Sequence, residues 1–234
     1  MTKAVFFDAG HTLLYAHPDL GTVYAEATAA FGVRLDPARY AETFAPVFKE
    51  TTRIYSGTST ASDSQDHAMW RDITRRIYDR LPALSGIPFD AWFEALYRRF
   101  GSPEVWRFYD DVESALRLLR SRGLKIGVVS NWDTRLKAIS DGLGLTSLVD
   151  FMVISAEVGV RKPDPGIFRM ALRRAGVRPE EAIHVGDLLE EDVEGARRAG
   201  VRPVLIDRRK RITEGVLPTD VRVVGTLGEL MPLL

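Results

Sequence analysis

The chain has 234 residues, 45% of them hydrophobic and 27% charged, enough for one full core and an inserted subdomain. Lys+Arg and Asp+Glu are equal at 32 and cysteine is absent, so there is no electrostatic footprint for nucleic acid or an anionic membrane, and disulfide and thiolate chemistry are excluded. A strand begins almost at once and no apolar run reaches membrane-span length, so a cytoplasmic protein without a signal peptide is expected.

Ala4-Val5-Phe6-Phe7 reads as a short buried strand that stops at Asp8. The next core strand does not appear until Lys125. Between them the segment 16–104 reads as helices, from His17 to Phe31, Asp36 to Tyr55, Ser64 to Leu81 and Phe89 to Phe100. Polar loops break it, notably Ser56-Gly57-Thr58-Ser59-Thr60. Trp70 and Trp92 belong to the packing of these helices by size and apolarity, while Arg53, Tyr55, Trp70 and Arg71 are candidates to face a site.

From about residue 105 strands and helices alternate. Strand patterns lie near 125–130, 150–154, 182–186 and 202–206, with a weaker one at 221–224. The intervening helices run from Asp110 or Asp111 through Leu119 with Gly123 as the stop, from Asp133 to near Gly142, from Pro165 to Gly176, and from about Glu190 to Gly200. This alternation predicts an α/β fold, a doubly wound parallel sheet built from residues 1–15 and 105–234. The all-helical insertion, 16–104, then perches above one sheet edge as a lid. Arg208-Arg209-Lys210-Arg211, the only dense basic run, reads as a solvated loop.

Ligands in open α/β sheets sit at the carboxyl ends of the strands, and four sets of reactive side chains fall there. Asp8 could ligate a hard cation, act as a nucleophile, do both, or merely cap the turn that follows. Asp187 leaves its strand after Gly186, which permits a tight exit, and Asp192 lies about one turn into the next helix. Carboxylates from separate strand ends make an oxygen-rich site suited to Mg²⁺ shared with phosphate. Ser130-Asn131 offers a hydroxyl and backbone N–H groups, an anion cradle or a plain turn. Lys162, stiffened by Pro163 and Pro165, is either a surface lysine or a charge partner for phosphate.

These segments, Asp8 to Leu13, Ser130-Asn131, Lys162-Pro163 and Gly186-Asp187 with Asp192, resemble the four ordered motifs of the haloacid dehalogenase-like hydrolase superfamily. The helical insertion resembles its C1-type cap domain, and the likeness spans nearly the whole chain. The resemblance implies a Rossmann-like core and a phosphatase of small phosphorylated metabolites, with Asp8 attacking phosphorus to give an aspartyl-phosphate. It implies Mg²⁺ held by Asp8, the Gly10 carbonyl and Asp187. Ser130, Asn131 and Lys162 would hold the phosphoryl group, and Asp192 would support the metal shell or orient Lys162. Charge neutralisation and in-line placement are what phosphoryl transfer needs.

One position departs from that pattern. Phosphatases of the superfamily usually carry a second Asp two residues after the nucleophile as acid/base, and here that residue is Gly10. Three readings stay open: the substrate supplies a good leaving group, His11 replaces the acid, or the chain binds without turnover. Dehalogenases place a bulky Tyr there, which Gly10 and the pair Asp187/Asp192 argue against. Phosphonate hydrolases use a cap lysine as a Schiff base, and Lys49 is the only lysine in 16–104.

Overall fold

The structure, a computed structural model, describes residues 1–55, 59–210 and 221–234. Strand β1 (Ala4–Phe7) is followed by β2 (Leu14–Ala16), then by helices α1 (Leu20–Ala29), α2 (Pro37–Tyr55), α3 (Asp63–Arg80) and α4 (Phe89–Arg99). The chain returns through β3 (Trp106–Phe108) and continues as α5 (Val112–Ser121), β4 (Lys125–Ser130), α6 (Arg135–Leu143), β5 (Phe151–Ile154), α7 (Ser155–Val158) and α8 (Pro165–Ala175). After β6 (Ala182–Gly186) comes a π-helical turn (Leu189–Glu194), then α9 (Gly195–Arg198), β7 (Arg202–Ile206) and β8 (Arg222–Val224).

Six strands form one parallel sheet in the order β5-β4-β1-β6-β7-β8. The expected doubly wound α/β sheet is therefore present. Its central strand explains the layering. Alternate side chains of a strand point to opposite faces, and Val5 and Phe7 join one apolar layer with α5 and α6 while Ala4 and Phe6 join another with α8. All four residues of β1 are fully buried, which is why its sequence is an unbroken apolar run rather than an alternation.

Helices α1–α4 pack around an apolar cluster of their own, centred on Tyr40, Ile73, Ile77 and Trp92. Thr28 is its polar hub. Its hydroxyl donates to the Tyr24 carbonyl (2.7 Å) and accepts from Tyr40 Oη (2.8 Å) and Trp92 Nε1 (3.0 Å), so the two ring donors are satisfied in a dry interior. Trp92 is fully buried and Trp70 packs against Phe44 and Phe48, as expected for core residues of these helices.

Several expectations need correction. The helix expected from His17 starts at Leu20 because the Asp19 carboxylate accepts from Thr22 N (2.9 Å) and caps it there. The residues just before it form β2, which pairs antiparallel with β3, so the chain leaves and rejoins the sheet region side by side. The helix expected from Asp133 begins at Arg135 and ends at Gly144 in the left-handed region, and the one expected over 190–200 is a π-turn running into a four-residue helix. Arg208 is not solvated. It forms a two-pronged ion pair with Asp111 (2.7 and 2.8 Å), lies over the Tyr109 ring and donates to the Thr12 carbonyl. That pairing takes the Asp111 carboxylate away from helix capping. Arg211, like Ser56-Gly57-Thr58 of the polar loop, lies outside the described residues. Among the described residues no helix is long and apolar enough to cross a membrane.

Candidate active site

Three strand ends and the loop after β5 bring the charged groups together. Asp8 follows β1, Ser130 ends β4, Asp187 follows β6 and Lys162 lies between α7 and α8. Lys162 Nζ is 2.6 Å from Asp8 Oδ1 and 2.6 Å from Asp192 Oδ1, and Ser130 Oγ donates to Asp8 Oδ1 at 2.9 Å. Neither contact to Asp8 uses Oδ2. Residues 122 and 154 positions away from Asp8 thus meet its carboxylate.

The ammonium is 1% exposed, so burial alone would lower its pKa. The carboxylates of Asp192 and Asp8 outweigh that and hold it charged, above its ordinary value. Asp192 shows the converse: burial would raise its carboxyl, but Lys162 and His184 hold it well below the usual range. His184, fully buried on β6, meets Asp192 Oδ1 with Nε2 (2.8 Å) and stacks edge-on against Phe168. Burial pushes its imidazole toward the neutral form.

Asp8, Asp187 and Asp192 each offer an oxygen within 4.8 Å of the others. Asp8 is raised by its burial, with Lys162 acting in the opposite direction. Asp187 is pushed up to about 8 by burial and by the negative charges of Asp8 and Asp192. Glu191 joins this cluster and is pushed up to about 7, again chiefly by burial. The one ammonium therefore faces more carboxylates than it can neutralise. An all-oxygen donor set with surplus negative charge fits a hard divalent cation of the Mg²⁺ class.

The Asn131 side chain bonds within the protein. Its Nδ2 donates to the Lys162 carbonyl (2.9 Å) and to Glu191 Oε2 (2.9 Å), while its Oδ1 accepts from Lys162 N (2.7 Å). The side chain is committed to tying the β4 loop to the Lys162 loop and the π-turn, which leaves its backbone for ligand contact. Gly10 lies in the turn after Asp8, closed by Leu13 N and Leu14 N donating to the Ala9 carbonyl. His11 is exposed and in the left-handed region, φ 54°.

The helical segment docks beside this cluster. Thr60 bridges to Val160, Arg161 N donates to the Ser59 carbonyl (3.0 Å), and the Arg161 guanidinium pairs with Asp66 at 2.7 Å, both side chains being largely buried. Asp63 accepts from Thr134 N and Oγ1, both at 2.8 Å, at the start of α6. Tyr97 Oη reaches Asp133 Oδ2 (3.2 Å), and the Arg135 guanidinium stacks on the Tyr97 ring. Of the candidates on the helical segment, Arg71 pairs with Asp90, Arg53 is exposed, and Tyr55 ends α2 half-buried. Lys49 is exposed on α2, without the apolar burial that activates a Schiff-base lysine.

Sequence reasoning missed Glu191, His184 and the Arg161–Asp66 pair. Glu191 sits directly before Asp192 in an acidic run, and His184 is the single polar residue inside an apolar strand. Both were visible signals. The pairing of Arg161 with Asp66, 95 positions apart, was not.

The family profile of haloacid dehalogenase-like hydrolases matches residues 2–200. Among curated relatives, haloacid dehalogenase-like hydrolase domain-containing protein 3 of Bos taurus is 32% identical over 235 residues, covering 99% of this chain and 93% of the relative. Phosphoserine phosphatase of Thermus thermophilus is 34% identical over 245 residues, covering 97% of each chain. Among solved structures, the magnesium-bound form of the HAD-hydrolase YfnB of Bacillus subtilis overlays with a TM-score of 0.76 at 16% identity, covering 100% of this chain and 98% of that one, a likeness of fold. With the matched motifs meeting at one sheet edge, the chain belongs to the haloacid dehalogenase-like hydrolases.

Proposed function

We propose that this hydrolase is a Mg²⁺-dependent phosphatase of small phosphorylated metabolites that works through a phosphorylated Asp8. The observation that carries this reading is the contact of Lys162 Nζ with Asp8 Oδ1 at 2.6 Å, beside Ser130 and within the carboxylate cluster. A buried carboxylate whose neighbours are an ammonium and a hydroxyl is placed for nucleophilic attack on a group carrying negative oxygens. The phosphatase-named relative supports the same class of substrate.

In this reading Asp8 attacks phosphorus, and the ester oxygen departs with the bonding pair. Water then hydrolyses the acyl phosphate and restores Asp8. Lys162 and Ser130 hold the equatorial oxygens, and the backbone N–H groups of the Ser130-Asn131 turn add donors. Asp192 keeps Lys162 in place, with His184 as its brace. Asp8, the Gly10 carbonyl and Asp187 would hold the cation, which when bound supplies charge neutralisation at the phosphoryl group.

Residues 1–15 and 105–234 would form the hydrolase core, and 16–104 the cap. Docking through Ser59–Asp66 beside Lys162 supports a lid role, in which closure excludes water from the phosphoryl step. The test is a phosphatase panel of alkyl, aryl and acyl phosphates with Mg²⁺ or with chelator. Mg²⁺-dependent release of phosphate, abolished by Asp8→Asn, is expected. Absence of turnover on every substrate, with phosphate still bound equally by the wild type and Asp8→Asn, would favour a non-catalytic binding member.

A further inference from the structure

We propose that Trp132 is the residue that keeps position 10 free of a side chain and thereby sets which leaving groups the enzyme accepts. The inference rests on the phosphatase reading above and concerns the same site.

Glycine at position 10 is not required by the backbone. Gly10 does not lie at positive φ, so no left-handed conformation demands glycine there. The obstacle is steric. A Cβ built on Gly10 would stand 3.3 Å from Trp132 Cζ3, and no other heavy atom outside its chain neighbours comes within 4 Å. That separation is closer than an ordinary van der Waals contact between carbons. An indole carbon therefore crowds a Cβ at position 10, which fits only if the ring gives by a few tenths of an ångström.

The ring is half-buried and has one aromatic neighbour among the described residues. Trp132 N donates to Ser155 Oγ (3.0 Å), and its carbonyl accepts from that hydroxyl (3.1 Å) and from Ala156 N (3.3 Å). The indole packs edge-on against Trp106 with centroids 5.0 Å apart. Trp106 is itself fixed by its Nε1 donating to the Phe100 carbonyl (3.0 Å). Hydrogen bonds thus fix the Trp132 main chain, and Trp106 supports its ring.

The chemical consequence follows from electron balance. As the bond from Asp8 oxygen to phosphorus forms, the ester oxygen leaves with the bonding pair as an oxyanion. Residue 10 has no side chain to offer it a proton, and the atom nearest a Cβ there is a carbon of the Trp132 ring. Only an oxygen stable as an anion, such as that of an aryl, enol or acyl phosphate, then leaves quickly, taking its proton from water afterwards. The structure assigns Trp132 a specificity role, selecting activated phosphates with an apolar or planar leaving group over alkyl monoesters.

The experiment compares wild type, Gly10→Asp, Trp132→Phe and the double variant on substituted phenyl phosphates of graded leaving-group acidity and on ethyl phosphate, all with Mg²⁺. Phenylalanine removes the benzo edge that carries Cζ3 while keeping an aromatic contact for Trp106. A steep fall in kcat/KM with leaving-group pKa is expected for wild type. Gly10→Asp alone should raise ethyl phosphate turnover by less than about threefold, because the ring displaces the carboxylate. The double variant should raise it at least about tenfold over Trp132→Phe and flatten the leaving-group dependence, so that ethyl phosphate gains more than p-nitrophenyl phosphate. A full gain from Gly10→Asp alone, or equal gains on ethyl and p-nitrophenyl phosphate, would overturn the proposal. Melting curves give a second readout: Gly10→Ala should lower Tm in the wild type and not in the Trp132→Phe background. If no phosphate is hydrolysed by the wild type, the phosphatase reading falls, and the melting comparison still decides whether Trp132 excludes a side chain at position 10.

Discussion

A Cβ added to Gly186 would fall inside the carboxylate of Asp192. The last residue of β6 is therefore a glycine so that Asp192, returning from the π-turn, can lie directly over the strand end. There Asp192 accepts from Leu188 N (3.0 Å) and holds Lys162 and His184. Gly186→Ala is expected to destabilise the fold by about 1–3 kcal/mol through overpacking and to lower activity by misplacing Lys162. Thermal melts and kcat on p-nitrophenyl phosphate check it; an alanine variant with wild-type Tm and rate would mean that the loop adjusts freely.

The carboxylate cluster gives a pH dependence of defined sign. Unfolded, Asp187 and Glu191 titrate near 3.8 and 4.5, whereas folded they are pushed up to about 8 and about 7. Between those limits the folded state binds more protons than the unfolded state, so these groups make cation-free stability fall as pH rises. A cation that binds the ionised cluster reverses the loss. With chelator, Tm should fall more between about pH 5.5 and 8.5 in the wild type than in Asp187→Asn. The Tm gain from Mg²⁺ should be larger at the higher pH. A gain that is equal at both, or larger in acid, would contradict the cluster as the cation site.

Arg161 and Asp66 join the helical segment to the residue next to Lys162. Burial pushes the Asp66 carboxyl up, and Arg161 works against that shift. Arg161→Met leaves a buried carboxylate without its cation and should cost about 3–5 kcal/mol. Arg161→Met/Asp66→Leu should recover most of it. Losses that simply add in the double variant would show that the two side chains are not coupled in solution.

His11 holds a left-handed backbone conformation that Asn also tolerates. His11→Asn is therefore expected to keep kcat/KM within about twofold, whereas a loss of about 10²-fold or more would mark His11 as the replacement proton donor.

The strand ends were legible in the sequence because each is a short Val, Ile and Phe run stopping at a polar residue, and parallel pairing then forces Asp8, Ser130 and Asp187 to one edge. Lys162 was legible through its flanking prolines. The three-residue strands β2 and β3 were not, since each is too short to carry a period. The commitment of Asn131 to Lys162 and Glu191 was also hidden, because local sequence shows which donors exist and not which acceptors a fold brings near them. The gap at position 10 was visible as an absent acid. The indole of residue 132 beside it was hidden, because that approach depends on packing alone.

The most direct measurement is acid-quench trapping during turnover of acetyl phosphate or p-nitrophenyl phosphate with Mg²⁺, followed by peptide mass mapping. A hydroxylamine-sensitive phosphoryl group on the peptide containing Asp8, present in the wild type and missing in Asp8→Asn, is the expected result. Sustained turnover with no label on that peptide, or equal labelling of Asp8→Asn, would contradict a nucleophilic Asp8.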